Sequence, residues 1–233
     1  MIQDDSPFRR LPKNLNPKQV LFLDGIRHSA EISSLAYTRL CKTLMAISVV
    51  KDEDYPDVEL FTHAFLDAWA MVDALHRFIC LWNKQPKADT LPSSFRGSAL
   101  QTKLKNIREL RNVSAHIAER MDHVLAKKGS ALGTLKWVHA RSQSPPNFRS
   151  YALIPGSFVA VKLQLTIPTK PFTKPIGCVS LVAGEYTGNL SNAYGELKKL
   201  IVFAEHTLNA QFPGSPKPQD VHGTDLIAKV DLN

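Results

Sequence analysis

The chain has 233 residues, enough for one large domain or two small ones, and its 44% hydrophobic and 21% charged residues are the proportions of an ordinary globular protein. A net charge of +8 suits a polyanionic partner such as nucleic acid, and suits equally a mildly basic protein with no such role. No apolar run reaches the length of a membrane span, the N-terminal MIQDDSPFRR is too polar for a signal peptide, and Cys41, Cys80 and Cys178 form no C-x-x-C pair that would favour a zinc ribbon.

Residues 1–16 are polar and carry Pro7 and Pro12, which predicts an irregular N-terminal arm. Pro17 is placed to open a helix. The apolar residues from Val20 to Val50 keep a helical period, so the first helix is expected to end near residue 50, at KDEDYP. A second helix is expected from about Asp57 to Asn83. Its apolar residues cover nearly the whole circumference, which predicts the central, most buried helix. The segment KQPKADTLPSSFRG reads as a linker, and Ser98 as the cap of a third helix running to about Lys128.

Beyond Gly129 and Gly133 the composition turns to strand. TLKWVHARS (134–142), RSYALI (149–154), FVAVKLQLTI (158–167) and IGCVSLVA (176–183) alternate or are rich in β-branched residues. A last helix is expected from about Leu190 to Phe212, followed by a flexible tail over 213–233. The expected fold is mainly α. It is an antiparallel four-helix bundle over 17–212, with a small antiparallel β-sheet inserted at about 133–187, before the last helix.

The third helix carries the chemistry. At 100° per residue, Leu100, Ile107, Leu110, Ser114, Ile117, Met121 and Val124 share a core-facing arc. Asn112, His116 and His123 fall opposite, with Arg111 on a flank. From Ser98 to Lys128 there are seven Lys/Arg against three Asp/Glu, a local charge of +4 and half the net charge of the chain. A polar stripe opposite an apolar one is ordinarily just the solvated face of a helix. An Arg-Asn pair with a His four residues on, in a helix, is a more specific arrangement.

RNVSAH (111–116) resembles the R-x4–6-H motif of HEPN domains, in the form where Asn follows the Arg, and the long buried helix ahead of it is similar too. The resemblance covers roughly residues 17–128 and the last helix, and leaves the sheet outside. It implies a metal-independent endoribonuclease, needing no cofactor, that dimerises through the third helix. Such enzymes act in toxin–antitoxin, phage-defence or RNA-processing settings, and an antitoxin or regulatory protein is a further implied partner. Arg111, Asn112 and His116 would take the catalytic roles. A Tyr two positions after the His, present in one toxin subgroup, is here Ala118.

The residue types suit that reaction. RNA is cut without metal when its own 2′-hydroxyl attacks the adjacent phosphorus. His116 can accept or supply a proton near neutrality. Arg111 offers a permanently charged fork to the phosphoryl oxygens. Lys105, Arg108 and Arg120 on the same helix are expected to hold the RNA backbone. The reading from another class is a non-catalytic helical module that binds RNA or a protein.

Among other polar groups, Asp73 and Arg77 stand four apart on the second helix and predict an ion pair, with an Asp reaching across to Arg111 as the alternative. His63 and Asp67 lack a third ligand for a metal. The odd cysteine count without a secretory signal points to the cytoplasm.

Overall fold

The computed structural model describes residues 2–51, 54, 56–86, 91, 93–119, 121–122, 130–143, 146–156 and 174–212, together with 221, 222, 225, 227 and 229. Helix α1 spans Pro17–Ser48, with Pro17 in its first turn and the Asn16 side chain accepting from the Lys18 N–H. Helix α2 spans Val58–Lys84 and starts likewise, with Asp57 accepting from the Glu59 N–H. The two make the largest helix–helix contact in the molecule. They bury Ile26, Ala30, Leu40 and Leu44 from α1 against Ala64, Ala68, Met71 and Leu75 of α2 in one core. Helix α2 is not covered all round, although its sequence predicts the most buried helix. Val58 is 64% exposed and Leu66 57%, so one apolar strip of it faces outward.

The expected third helix is broken: its first part is two helices, neither of which reaches Lys128, and after a turn at 116–119 the chain is helical again at Met121 and Asp122, the last residues described before 130. Helix α3 spans Gly97–Lys103, with Arg96 rather than Ser98 at its N-cap. Leu104 breaks the run at φ −114° and ψ 17°, and α4 spans Lys105–Ala115. The break rotates the buried set to Leu104, Ile107, Leu110 and Val113. Ser114 and Met121, expected in the core arc, are exposed, and Val124 lies outside the described residues. Nothing in the local sequence marks the end at Ala115, since no Gly or Pro stands there.

The sheet has four strands in the order β2-β1-β3-β4, all antiparallel: β1 Thr134–Gln143, β2 Pro146–Leu153, β3 Ile176–Ala183 and β4 Tyr186–Asn189. The expected strand over 158–167 lies outside the described residues. Strand β4 was not legible, being short and containing a Gly. Leu153, Leu135, Leu181 and Gly188 form one row across all four strands. Gly188 ends the row where α4 crosses, and a Cβ there would come within 2.5 Å of Leu110 Cδ1. Beside this row Trp137 stacks on Tyr151, with ring centroids 5.2 Å apart. Trp137 Nε1 donates to Ser48 Oγ at 2.8 Å, and the Tyr151 hydroxyl donates to the Ser48 carbonyl at 3.0 Å. The last turn of α1 is thereby fixed to the sheet.

The fold is therefore mixed α/β rather than a four-helix bundle. Helix α5, Leu190–Gln211, packs on β3 more than on α1 or α2, and α4 packs on β4 as well as on α2. The physical reason is the apolar inner face of the sheet, where Leu135, Trp137, Val179 and Leu181 are at most 1% exposed. A face so apolar must be covered by helices, so the sheet is a layer of the domain and not an insertion beside a finished bundle. The N-terminal arm carries a 3-10 turn at Pro7–Arg9 and pairs by a bridge from Pro12 to Val221. Asp225 meets the buried Arg27 of α1 at 2.8 Å, which holds that part of the tail against the same helix.

One hydroxyl links three elements. Cys178 and Val179 stand opposite the single residue Trp137, a bulge that leaves Cys178 at φ 54°. The Val179 N–H donates to Ser191 Oγ in the first turn of α5, at 2.9 Å. The Tyr37 hydroxyl of α1 lies 2.9 Å from the same oxygen. Burial pushes the Tyr37 phenol above its ordinary value, so it stays protonated. Ser191→Ala leaves the N–H of fully buried Val179 without its acceptor, and should cost about 1–3 kcal/mol in urea unfolding, against about 1 kcal/mol for Tyr37→Phe.

Candidate functional site

Helix α4 turns Ile107, Leu110 and Val113 inward, so Lys105, Arg108 and Arg111 are exposed on its other sides. Asn112 is half-buried beside them. Arg111 reaches back to α2, where its Nε lies 3.8 Å from Asp73 Oδ1. Of the two readings weighed for Asp73, the ion pair across the helices is the one found. Both partners are well exposed, so the pair contributes little to stability, on the order of 0–1 kcal/mol.

His116 is not on the helix. It is the C-cap of α4, at φ −121° and ψ 30°, and its N–H donates to the Val113 carbonyl at 3.3 Å in a tightened last turn. The expected adjacency of Asn112 and His116 on one continuous helical face is therefore lost. Instead His116 is 54% exposed, and its Nδ1 lies 3.1 Å from Glu119 Oε2. With the ring hydrogen on Nδ1 directed to that carboxylate, Nε2 is left as a proton acceptor facing solvent.

Arg120 and His123 lie outside the described residues. Lys105 lies apart from Arg111, beside Thr187 and Asn189 of β4, in a cavity of about 250 Å³. Arg108, by contrast, is on the α2 side. Its charge and that of Arg111 act on His76, one turn along α2 from Asp73. Burial first, then Arg111 and Arg108, push His76 below its ordinary value, with Asp73 opposing them. His76 Nε2 is also 3.8 Å from Cys80 Sγ.

The sequence holds the signal for this cluster. Asp73, His76, Arg77 and Cys80 repeat at i, i+3, i+4 and i+7, one stripe of α2. The stripe by itself does not choose between an Asp73–Arg77 pair and a partner on α4, and the structure puts Asp73 with Arg111. Asp67, also on α2, is only 3% exposed and its Oδ2 lies 3.3 Å from Arg39 Nε, near enough for an ion pair but without hydrogen-bond geometry. Burial pushes its carboxyl up, against the pull of Arg39 and His63. Asp67 thus joins α1 to α2 and is not available to Arg111.

The site so assembled has a guanidinium loosely held by one carboxylate, an imidazole beside another, and a second imidazole whose protonation is disfavoured by burial and by the charges of Arg111 and Arg108. Among the described residues no group of three His, Cys, Asp or Glu is arranged to hold a metal ion, and no helix is long and apolar enough to cross a membrane.

Because His76 protonates less readily in the folded protein, it subtracts stability as pH falls below its ordinary value of 6.5. Its NMR titration midpoint is expected below 6.5, and Arg111→Ala should move that midpoint upward by removing a repulsive neighbour. An unchanged midpoint in the variant would mean that Arg111 does not act on this imidazole.

No protein-family model matches the chain, and no curated protein or solved structure matches it either.

Proposed function

We propose that the chain is a metal-independent endoribonuclease of the HEPN type. In this reading it acts as a homodimer in the cytoplasm, in phage defence, toxin–antitoxin control or RNA turnover, with an antitoxin-like regulator as a further partner. The observation that carries the reading is the pairing of chemistries at one end of α4. Arg111 and His116 are both exposed there, and Glu119 orients the His116 ring. The RNVSAH spacing supports it.

The chemistry follows from the groups. A phosphodiester displaces Asp73 from Arg111 at small cost, because that pair is long and solvated. His116 Nε2 takes the proton of the 2′-hydroxyl as its oxygen attacks phosphorus. Arg111 stabilises the extra negative charge on the phosphoryl oxygens. The 5′-oxygen leaves and takes a proton from the imidazolium of the second copy in the dimer. The products are a 2′,3′-cyclic phosphate and a 5′-hydroxyl. Asn112 donates to a phosphoryl oxygen, and Lys105, Arg108 and Arg120 hold the backbone.

One observation favours the second reading, a module that binds RNA or a protein without cutting. Arg111 and His116 each already have a carboxylate partner within the monomer, which is also what a solvated helix end looks like.

RNA incubated with the wild type in excess chelator should be cut to cyclic phosphate ends. His116→Ala and Arg111→Ala should each lower the rate by about 100-fold or more while remaining folded. A wild type without activity, or variants that cut as fast as it does, would leave the binding module as the reading.

A further inference from the structure

The outer face of α2 changes character along its length. Its N-terminal half borders an open groove of about 660 Å³, walled by Val58, Leu66 and Trp69 of α2 and by Leu132 and Pro155 next to β1 and β2. Val58, Leu66 and Leu132 are 64%, 57% and 50% exposed. The Trp69 side chain is half-buried, and its orientation is set, because Nε1 donates to the Leu132 carbonyl at 3.1 Å. The groove ends at Asp73, the residue that holds Arg111. One turn further along, His76 feels both Arg108 and Arg111. The apolar groove of α2 therefore ends at the carboxylate that faces Arg111 of α4.

That combination selects a class of occupant. An indole held at a fixed angle offers a flat stacking partner at little entropic cost. Exposed aliphatic walls reward an apolar disc. The Arg111 guanidinium, beside Asp73 at the end of the groove, rewards a phosphate. An apolar peptide answers the groove but leaves the arginines without a counterpart. Double-stranded nucleic acid answers the arginines, but its base faces are already stacked. An unpaired nucleotide strand offers both a bare base face and flanking phosphates.

We propose that this face seats single-stranded RNA, with a base stacked against Trp69 in the α2 groove and the adjoining phosphates on Arg108 and Arg111. The proposal rests on the RNA reading above and specifies it: the strand is unpaired and is gripped by a base as well as by its backbone. It draws α2 into a site for which the motif supplies only α4.

The chain reports on this itself. Trp82 and Trp137 are 2% and 1% exposed, so a change in tryptophan emission on ligand binding reads Trp69. The full chain carrying His116→Ala, which removes the proposed base, is titrated with a single-stranded RNA of ~10 nucleotides. A duplex of the same sequence and a base-free ribose-phosphate chain of the same length are titrated alongside. The single strand should quench emission, and the other two should not. Leu66→Glu and Leu132→Glu change exposed side chains, so folding is not at stake, and each should weaken single-strand binding about tenfold. Arg108→Ala should reduce the salt dependence of binding.

Binding of RNA without quenching, or with no response to Leu66→Glu, overturns the groove while leaving the RNA reading in place. Failure of every form to bind RNA removes both. Self-association that Leu66→Glu abolishes without altering RNA affinity would give the face to a second copy of the chain, and would also overturn the proposal.

Discussion

The hydroxyl of Ser191 is where the two halves of this fold are fastened. Helices α1 and α2 could pack as a hairpin without any sheet, and the strands could form a sheet without any helix. What makes one domain of them is that the apolar face of the sheet needs cover, and that α5 must lie across it at a fixed height. Ser191 sets that height. It accepts the N–H of Val179 from β3 and meets the phenol of Tyr37 from α1. Ser48 plays a similar part at the far end of α1, under Trp137 and Tyr151. With the sheet fastened at both places, Gly188 presents a bare backbone to Leu110, and α4 settles where its cationic side runs beside α2.

The position of α4 decides what the candidate site is. Had the third helix continued to Lys128, Arg111 and His116 would have been parts of one rigid face, separated by a fixed rotation. The stop at Ala115 uncouples them. Arg111 belongs to the seam with α2, and His116 belongs to the turn that follows. A group at a helix end can be re-aimed by a small change in two or three dihedrals, whereas one within a helix cannot. Any role that brings Arg111 and His116 to a shared phosphate draws on that freedom.

Much of this was legible in the sequence, and the rest was hidden for identifiable reasons. The starts of α1 and α2 were plain, because Asn16-Pro17 and Asp57 are local signals with local causes. Strand β3 could be read to the residue from its β-branched run. The break at Leu104 was not readable. Leu is a good helix former, and the apolar spacing on either side suits an unbroken helix, so the local sequence carries no sign of it. The bundle expectation failed for the same reason, since periodicity tells which face is apolar and never what covers it. At the site, the i, i+3, i+4, i+7 stripe of Asp73, His76, Arg77 and Cys80 was visible on α2. Its meeting with Arg111 is offered by the sequence only as the alternative to an Asp73–Arg77 pair, because a contact between residues far apart in the chain has no local signal. Nothing in VSAHIAE announces a stop, so the sequence predicts a helical His116, which the structure places at the C-cap.

The bulge at Cys178 bears on how the sheet finds its alignment. Strands of period two can slide past one another by two residues and still keep every side chain on its proper face, so hydrophobic patterning alone leaves several nearly equivalent registers. The pair β1–β3 escapes that degeneracy. Its irregularity needs a residue that tolerates φ 54° and, next to it, an N–H that finds an acceptor outside the ladder. Holding a non-glycine residue there costs about 1–2 kcal/mol. Any slipped register would move the defect onto other residues and away from Ser191, losing the bond while keeping the strain. A local flaw thus serves as a keyway, which admits the two strands at one alignment and carries that alignment outward to every row of the sheet.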